Sequence, residues 1–225
     1  MNAMRQCSPR VFRLLACFVL LAACVPDHFV WHGFQGTPTH GVGSYAAELR
    51  TSDMRDGTAL RTGRLFVARG KLRYEMQGAG PLEQMILLAR LDEGRAWLVN
   101  PANNRCLEGN FAPQRWMDIG HLLRAFPKVM QARIISSKEE LLGKEMLSGY
   151  RAGKIRRTGS HMLFGEEREF TEFFWLAEEF CIPLRHEDGM LRTELAQIHK
   201  KDIDDSLFTL PAECRKVSSF ADLLK

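Results

Sequence analysis

The side chains of this chain that could do chemistry are few and scattered. Beyond residue 23 it holds Cys24, Cys106, Cys181 and Cys214. None of the last three belongs to a C-x-x-C pair, the arrangement that activates a thiol for disulfide exchange. An exported chain could join two of them and leave the third unpaired, but the spacing does not say which. A structural or partly buried role is expected for them rather than redox chemistry. The acidic pairs Glu139-Glu140, Glu166-Glu167 and Glu178-Glu179 are adjacent, so on strands their members point to opposite faces and cannot share a proton. There is no G-x-S-x-G elbow, no H-E-x-x-H zinc helix and no phosphate-cradling glycine loop. His28, His32 and His40 recur at four and eight residues. Their surroundings hold Pro26, Gly33, Gly36 and Pro38 and no carboxylate or thiol at ligand spacing, so no metal is assigned. The sequence thus offers no catalytic residue, no metal and no cofactor, and an enzyme is not expected.

The first 23 residues form a segment of their own. Arg5, Arg10 and Arg13 make a basic head, 14–23 is a short apolar run, and small residues lead to Cys24: the order of a secretory signal. From Leu14 to Val25 the apolar stretch is about half the roughly 20 residues that a spanning helix needs. The junction Leu21-Ala22-Ala23-Cys24 resembles the lipobox of bacterial lipoproteins. That resemblance implies that Cys24 receives diacylglycerol and becomes the new N-terminus after cleavage, which would hold the protein on a membrane without spanning it. Val25, where an aspartate would favour inner-membrane retention, implies the outer membrane. An ordinary signal peptide with an incidental cysteine is the alternative, and Cys17 inside the apolar run shows that cysteines do occur there. Removing three arginines from the 31 Lys and Arg leaves 28 against 27 acidic residues. So neutral a chain argues against nucleic acid as a partner. Arg151, Lys154, Arg156 and Arg157 cluster, and are read as the solvated face of a strand.

Residues 24–44, rich in Pro and Gly, are expected to be a flexible tether, with the lipidated N-terminus that the lipobox resemblance implies. Phe29, Val30, Trp31 and Phe34 are apolar for a linker and would pack on the domain or sit at the lipid interface. One domain follows, 45–217, ample for a core. Strands are expected at 45–51 and 59–68 around Asp56-Gly57. In 71–76 polar and apolar residues alternate strictly: Leu72, Tyr74 and Met76 share one face, Lys71, Arg73 and Glu75 the other. Gly70-Lys71, Glu93-Gly94 and 101–104 punctuate the run at hairpin spacing, which makes an antiparallel meander. Trp116, Ile119, Leu122, Leu123 and Phe126 then change the period to that of one amphipathic helix, 113–126, between Pro113 and Pro127. Strands resume at 139–149, 150–158, 169–177, 182–186 and 191–199. In the tail, 218–225, a short helix is expected from Ser219, with Asp222 as capping partner. The domain is mainly β (α+β). Met85, Leu87, Ala89 and Leu91 alternate with Ile86 and Leu88, all apolar, so this strand must be covered on both faces. The helix is the candidate cover. It either leaves a lipid-sized pocket beneath it or fills the space and leaves a dry core.

Three spacings in the meander carry a resemblance. Gly63-x-Leu65-x-Val67, then Lys71-x-Arg73-x-Glu75, then Asp92-x-Gly94-x-x-Trp97-x-x-Asn100-Pro101 resemble the pattern of LolA/LolB-like lipoprotein carriers and their outer-membrane lipoprotein-sorting relatives. Leu207-Phe208-x-Leu210-Pro211 is similar to that family's last strand. The resemblance implies an unclosed β-barrel, a strongly curved antiparallel sheet with a covering helix on its concave side. It further implies a hydrophobic ligand there, lipid or lipoprotein acyl chains, against Leu65, Val67, Leu72, Tyr74, Met76, Leu87, Trp97, Trp116 and Leu123. Arg73 is the nearest match to an arginine that keeps the lid shut. The chain departs from the carriers in having no long helix before its first strand and a single cover helix. Its lipobox fits an anchored receiver or a paralogue rather than a soluble shuttle. The function so implied is a non-enzymatic lipoprotein of the outer membrane, facing the periplasm, with the membrane, an apolar ligand and other lipoproteins as partners. The alternative is an anchored interaction protein with a filled core and no ligand.

Overall fold

The computed structural model describes residues 43–78, 84–113, 116–123, 126, 133–163 and 165–225. The signal segment, Cys24 and the tether up to residue 42, with its histidines and aromatics, lie outside the described residues.

Alternating sequence becomes extended chain. β1 (Tyr45–Asp53), β2 (Ala59–Ala68), β3 (Lys71–Gln77), β4 (Ile86–Arg90), β5 (Arg95–Asn100) and β6 (Arg105–Asn110) pair each with the next, antiparallel. Arg69 and Gly70, with φ of 47° and 75°, form the two-residue turn of positive φ whose twist matches the strands it joins. After α1 (Ile119–Leu123) a second meander follows: β7 (Arg133–Leu147), β8 (Tyr150–Leu163), β9 (Glu166–Leu176), β10 (Arg185–Glu187) and β11 (Leu191–Lys200). Ser148 and Gly149, at φ 51° and 82°, repeat the same tight turn between β7 and β8. β11 returns to pair with β1, and β12 (Arg215–Val217) adds parallel to β6. α2 (Phe220–Leu224) starts where the Ser219 hydroxyl accepts the Asp222 N–H.

The result is one sheet of twelve strands in the order β12-β6-β5-β4-β3-β2-β1-β11-β10-β9-β8-β7. Its two ends do not meet: the fold is mainly β, an unclosed barrel with very few helices. Because β6 and β7 lie toward opposite ends, the chain between them has to cross the sheet. α1 belongs to that crossing.

Register assigns the faces. Paired residues share a face, and Leu49, Leu65, Tyr74, Leu87, Leu98 and Leu107 lie on one, here the inner face, with the main core. On the outer face Leu88, Val99 and Cys106 form a second, smaller core with Ile86, Trp97, Leu210 and Cys214. This second core answers the doubly apolar 85–91 stretch. Its cover is the C-terminal segment, not the helix. Arg73 Nη1 donates to the Leu207 carbonyl at 3.0 Å, Lys71 pairs with Asp205 at 3.1 Å, and Cys106 is disulfide-bonded to Cys214. Cys181 is free and buried.

Several expectations are corrected. The helix expected over 113–126 is described only as α1, Ile119–Leu123, with Trp116 to Asp118 leading into it without helical structure. Leu207-Phe208-x-Leu210-Pro211 is not a strand: Asp205–Phe208 is a 3-10 turn, begun where the Asp204 carboxylate accepts the Ser206 N–H. That local bond competes with extended pairing. β7 begins six residues earlier than expected and β8 and β9 are longer, because their polar ends give no one-sided pattern to read. Ile182 is buried in the loop before β10.

The disulfide closes a loop between residues 108 apart, where constraint of the unfolded chain is large. Replacing Cys106 and Cys214 together by Ser is expected to cost about 3–5 kcal/mol, or a melting temperature lower by about 10 °C. Thermal unfolding of the double variant beside the parent measures it, and equal midpoints would show the bond to be energetically idle.

Candidate functional site

The inner face of β1–β6 is apolar over its central part, where Tyr45, Ala47, Leu49, Leu65, Val67, Leu72, Tyr74, Leu87, Ala89, Ala96, Leu98 and Leu107 recur at every second position. Leu65, Leu72 and Leu87 are each 0% exposed, with Val67 and Tyr74 close behind, and Met76 and Leu123 pack against the same cluster. Tyr74 lies across Gly63 on the neighbouring strand, where a Cβ would run into the ring. The sequence-expected residues Leu65, Val67, Leu72, Tyr74, Met76, Leu87 and Leu123 are therefore brought together.

Two separate pieces of chain cover this face. One carries Met117, Leu122 and Phe126, the other is the loop with Phe180, Cys181, Ile182 and Leu184, and all seven are buried. The Met117 N–H donates to the Cys181 carbonyl at 2.8 Å and stitches the pieces together. Phe180 stands edge-on to Tyr45 at 4.9 Å and to Tyr150 at 4.8 Å, so the loop is clamped between the two ends of its own sheet segment. Tyr45 Oη lies 3.9 Å from Cys181 Sγ. Burial pushes the Cys181 thiol up to about 12 and the Tyr45 phenol well above its ordinary value, so both are neutral and the thiol is inert. A side chain with no accessible area has no water-sized space beside it. Leu65, Leu72 and Leu87 thus face packed atoms, and around them the space under the cover is filled.

A polar cluster lies where α1 begins. By register Thr193, His186, Phe174 and Ile155 continue the inner face outward from Thr51. Two residues on, Arg157 pairs with Glu172 at 2.5 Å and reaches Asp118, just before α1, at 3.8 Å. Its guanidinium stacks on Phe174 at 4.5 Å, and the His186 ring lies parallel to the same phenylalanine at 4.4 Å. His186 Nε2 is buried without a hydrogen-bond partner, 3.9 Å from Glu172. Leu49, Asp118, Ile119, His186 and Thr193 bound a cavity of about 60 Å³, room for a water or two but not for an acyl chain. Glu139, facing Arg157 across β7 and β8, is held above the usual carboxylate range by burial, with Arg157 opposing.

Two arginines thus trade places relative to expectation. Arg73 points to the outer face, bonded to Glu75 and to the C-terminal segment, and does not touch the helix. Arg157, read as solvated, is 7% exposed and is the arginine that reaches the cover. The missed signal was the phenylalanine across the strand pair: Phe174 shares the Arg157 face and shields it from water. Trp97 falls on the outer face with Leu88 and Val99, since it alternates with Ala96 and Leu98. Trp116 packs at a tilt against Phe174, ring centres 4.9 Å apart, beside Ile155 and Leu176, next to the polar cluster and apart from the main core.

Arg157→Met would strand the Glu172 and Asp118 carboxylates in a buried site. A loss of about 3 kcal/mol is expected, read as a lower urea midpoint, and Asp118→Asn in the same background should restore part of it. An unchanged midpoint would mean the ion pairs are solvated in solution.

No family model matches the chain, and no curated protein matches it. Solved structures do. An uncharacterized conserved protein from Thermus thermophilus is similar at 15% identity over 79% of this chain and 91% of that one, with a TM-score of 0.40. A LolA superfamily protein from Nitrosomonas europaea is similar at 14% identity over 75% and 91%, TM-score 0.36. The lipoprotein LppX of Mycobacterium tuberculosis is similar at 12% identity over 73% and 90%, TM-score 0.33. Similarity at this level assigns no residue role.

Proposed function

We propose that this chain is a non-enzymatic lipoprotein of the bacterial outer membrane, anchored through Cys24 and facing the periplasm. It binds a hydrophobic ligand, lipid or the acyl chains of a lipoprotein, between the inner sheet face and the cover around α1. The observation that carries this reading is the construction of the cover. An apolar face spanning six strands is closed by two short pieces of chain: among the described residues the second is tied to the sheet at Leu184, whose N–H donates to the Trp175 carbonyl and whose carbonyl accepts from Leu195, and the two pieces meet where the Met117 N–H donates to the Cys181 carbonyl. Such pieces can lift without breaking the sheet, which is the least stable unit's role in a binding protein. The filled space is then the closed, empty form. The Cys106–Cys214 disulfide supports an oxidising compartment outside the cytosol.

The second reading, an anchored interaction protein without ligand, draws on the same filled core and on exposed apolar residues along β7. Extraction of the native, membrane-derived protein followed by mass spectrometry separates the two. Co-purified lipid, and micromolar binding of a fluorescent fatty acid, are expected for the ligand reading; clean protein that binds no such probe would leave the interaction reading standing. Cys181 reports on the cover itself. In the closed form it should resist alkylation at pH 8 and react once an acyl ligand opens the cover; labelling as fast as an unfolded control would refute the closed cover. Cys24→Ala is expected to leave an unprocessed or soluble form, and membrane attachment that survived it would remove the lipid anchor from the proposal.

A further inference from the structure

β7 ends the sheet, and among the described strands it has a neighbour, β8, on one side only. Its other edge runs from Arg133 to Leu147 with its backbone hydrogen-bonding groups turned outward. Ile134, Ile135, Leu141, Leu142 and Met146, most of the large apolar side chains the described chain exposes, lie on this strand. Exposed edge strands normally carry features that block pairing. The charges here instead form the sequence Lys138-Glu139-Glu140-Leu141-Leu142-Gly143-Lys144-Glu145, which is complementary to itself when read antiparallel.

We propose that β7 pairs with the β7 of a second copy of this chain, antiparallel and centred between Leu141 and Leu142, to make a continuous sheet across a two-fold axis. In that register Lys138 meets Glu145 of the second copy and Glu139 meets its Lys144, and symmetry repeats both pairs. Glu140, already paired with Arg156 of its own chain at 2.5 Å, meets Gly143, which brings no charge. Among the described residues Lys138 and Lys144 have no ion-pair partner of their own. Shifting the register by one residue either way sets Glu139 against Glu145 or Lys138 against Lys144, and like charges directly opposite destabilise a strand pair.

The bulge in β7 makes this register geometrically consistent. A sheet extended across a perpendicular two-fold axis must set like faces side by side, and in a regular strand only residues of equal parity would meet. The register of β7 on β8 shifts between Leu141 and Gly143, so Leu142 is an extra residue and parity reverses there. Glu139 and Lys144 consequently lie on the same face, opposite Arg157 and Gly153, and Lys138 and Glu145 lie on the other, opposite Thr158 and Ala152. Without the bulge each of the four ion pairs would straddle the sheet. Anchoring would raise the effective concentration of copies on one membrane, which favours a contact of this size.

The test uses the full mature chain, lipidated, in density-matched detergent. Sedimentation equilibrium should show monomer and dimer exchanging with concentration, and Lys144→Glu should weaken dissociation constants by about tenfold or more, since two pairs turn repulsive. The charge swap Glu139→Lys with Lys144→Glu should restore dimers relative to Lys144→Glu alone, at a lower melting temperature because the lysine at position 139 faces Arg157. Mixing Lys138→Cys chains with Glu145→Cys chains should give a disulfide between copies. A chain that stays monomeric to about 100 μM, a Lys144→Glu variant that dimerises as well as the parent, a swap that restores nothing, or a β7 that instead binds lipid vesicles as a monomer would each overturn the proposal.

Discussion

The pairing of β1 with β11 is the contact on which the rest of the molecule depends. With the exception of β12 on β6, every other strand pair joins sequence neighbours, whereas this one sets Tyr45 beside Lys200. Two meanders that could each have remained a separate ribbon become one sheet, their free ends are driven apart, and the chain from β6 to β7 is obliged to cross a face. The piece of the cover that carries Met117, Leu122 and Phe126 is thus a consequence of topology before it is a matter of side chains. The register shift between Ala46 and Glu48, with Gln197 at φ 49° on the partner strand, sits where Tyr45 meets Phe180 under the cover. Extra twist at a bulge bends the sheet at the point where the cover must be received.

The two faces are closed by different physics. On the outer face the C-terminal segment is fixed by a covalent bond, by the Arg73 bond to a backbone carbonyl and by the strand β12. α2 extends this anchorage: its Leu223 carbonyl accepts from Asn100 at 2.9 Å and from Asn103 at 3.0 Å, and its Asp222 carbonyl from Arg105 at 2.6 Å. On the inner face, among the described residues, the cover depends on packing, on the Met117–Cys181 backbone hydrogen bond, on the two that tie Leu184 to Trp175 and Leu195, and on the looser Arg157–Asp118 pair. Opening the first would require breaking a covalent bond; opening the second breaks a few hydrogen bonds and otherwise exchanges one apolar contact for another. An apolar ligand of the kind proposed would supply that exchange and water would not.

The meander was legible because its turns and its alternation agree. Asp56-Gly57 and Glu93-Gly94 fall between runs whose period is two, and the turn expected at Gly70-Lys71 lies one residue earlier, at Arg69-Gly70; local chemistry goes far to fix such hairpins. The inner-face residues from Leu65 to Leu87 followed from the same period. What the sequence hid was non-local. Trp97 is as apolar as its neighbours, and only the pairing of Leu98 with Leu87 and Leu107 tells which side it takes. Arg157 sits in a basic stretch that reads as surface until Phe174, Glu172 and the start of α1 are laid over it. The cysteine pair needed the parallel addition of β12 to β6, an arrangement with no turn signal. The polar ends of β7, β8 and β9 were cut short for the opposite reason: a strand wet on both faces has no pattern.

The energetics of the cover limit what can open it. Met117, Leu122 and Phe126 are buried to 1% or less. Exposing side chains of this kind costs about 2 kcal/mol each, so lifting this piece alone requires about 6 kcal/mol, before any loss at Arg157. A buried methylene returns about 0.8 kcal/mol. An acyl chain of about eight methylenes is therefore the shortest that balances the displaced side chains, and shorter amphiphiles would leave the cover closed. Long-chain lipid meets that condition and small apolar solutes do not. The same arithmetic makes so fully packed a face compatible with the proposed binding function. Under the proposed function the cover's own side chains would occupy the ligand's place and give it up to a partner that buries at least as much apolar surface.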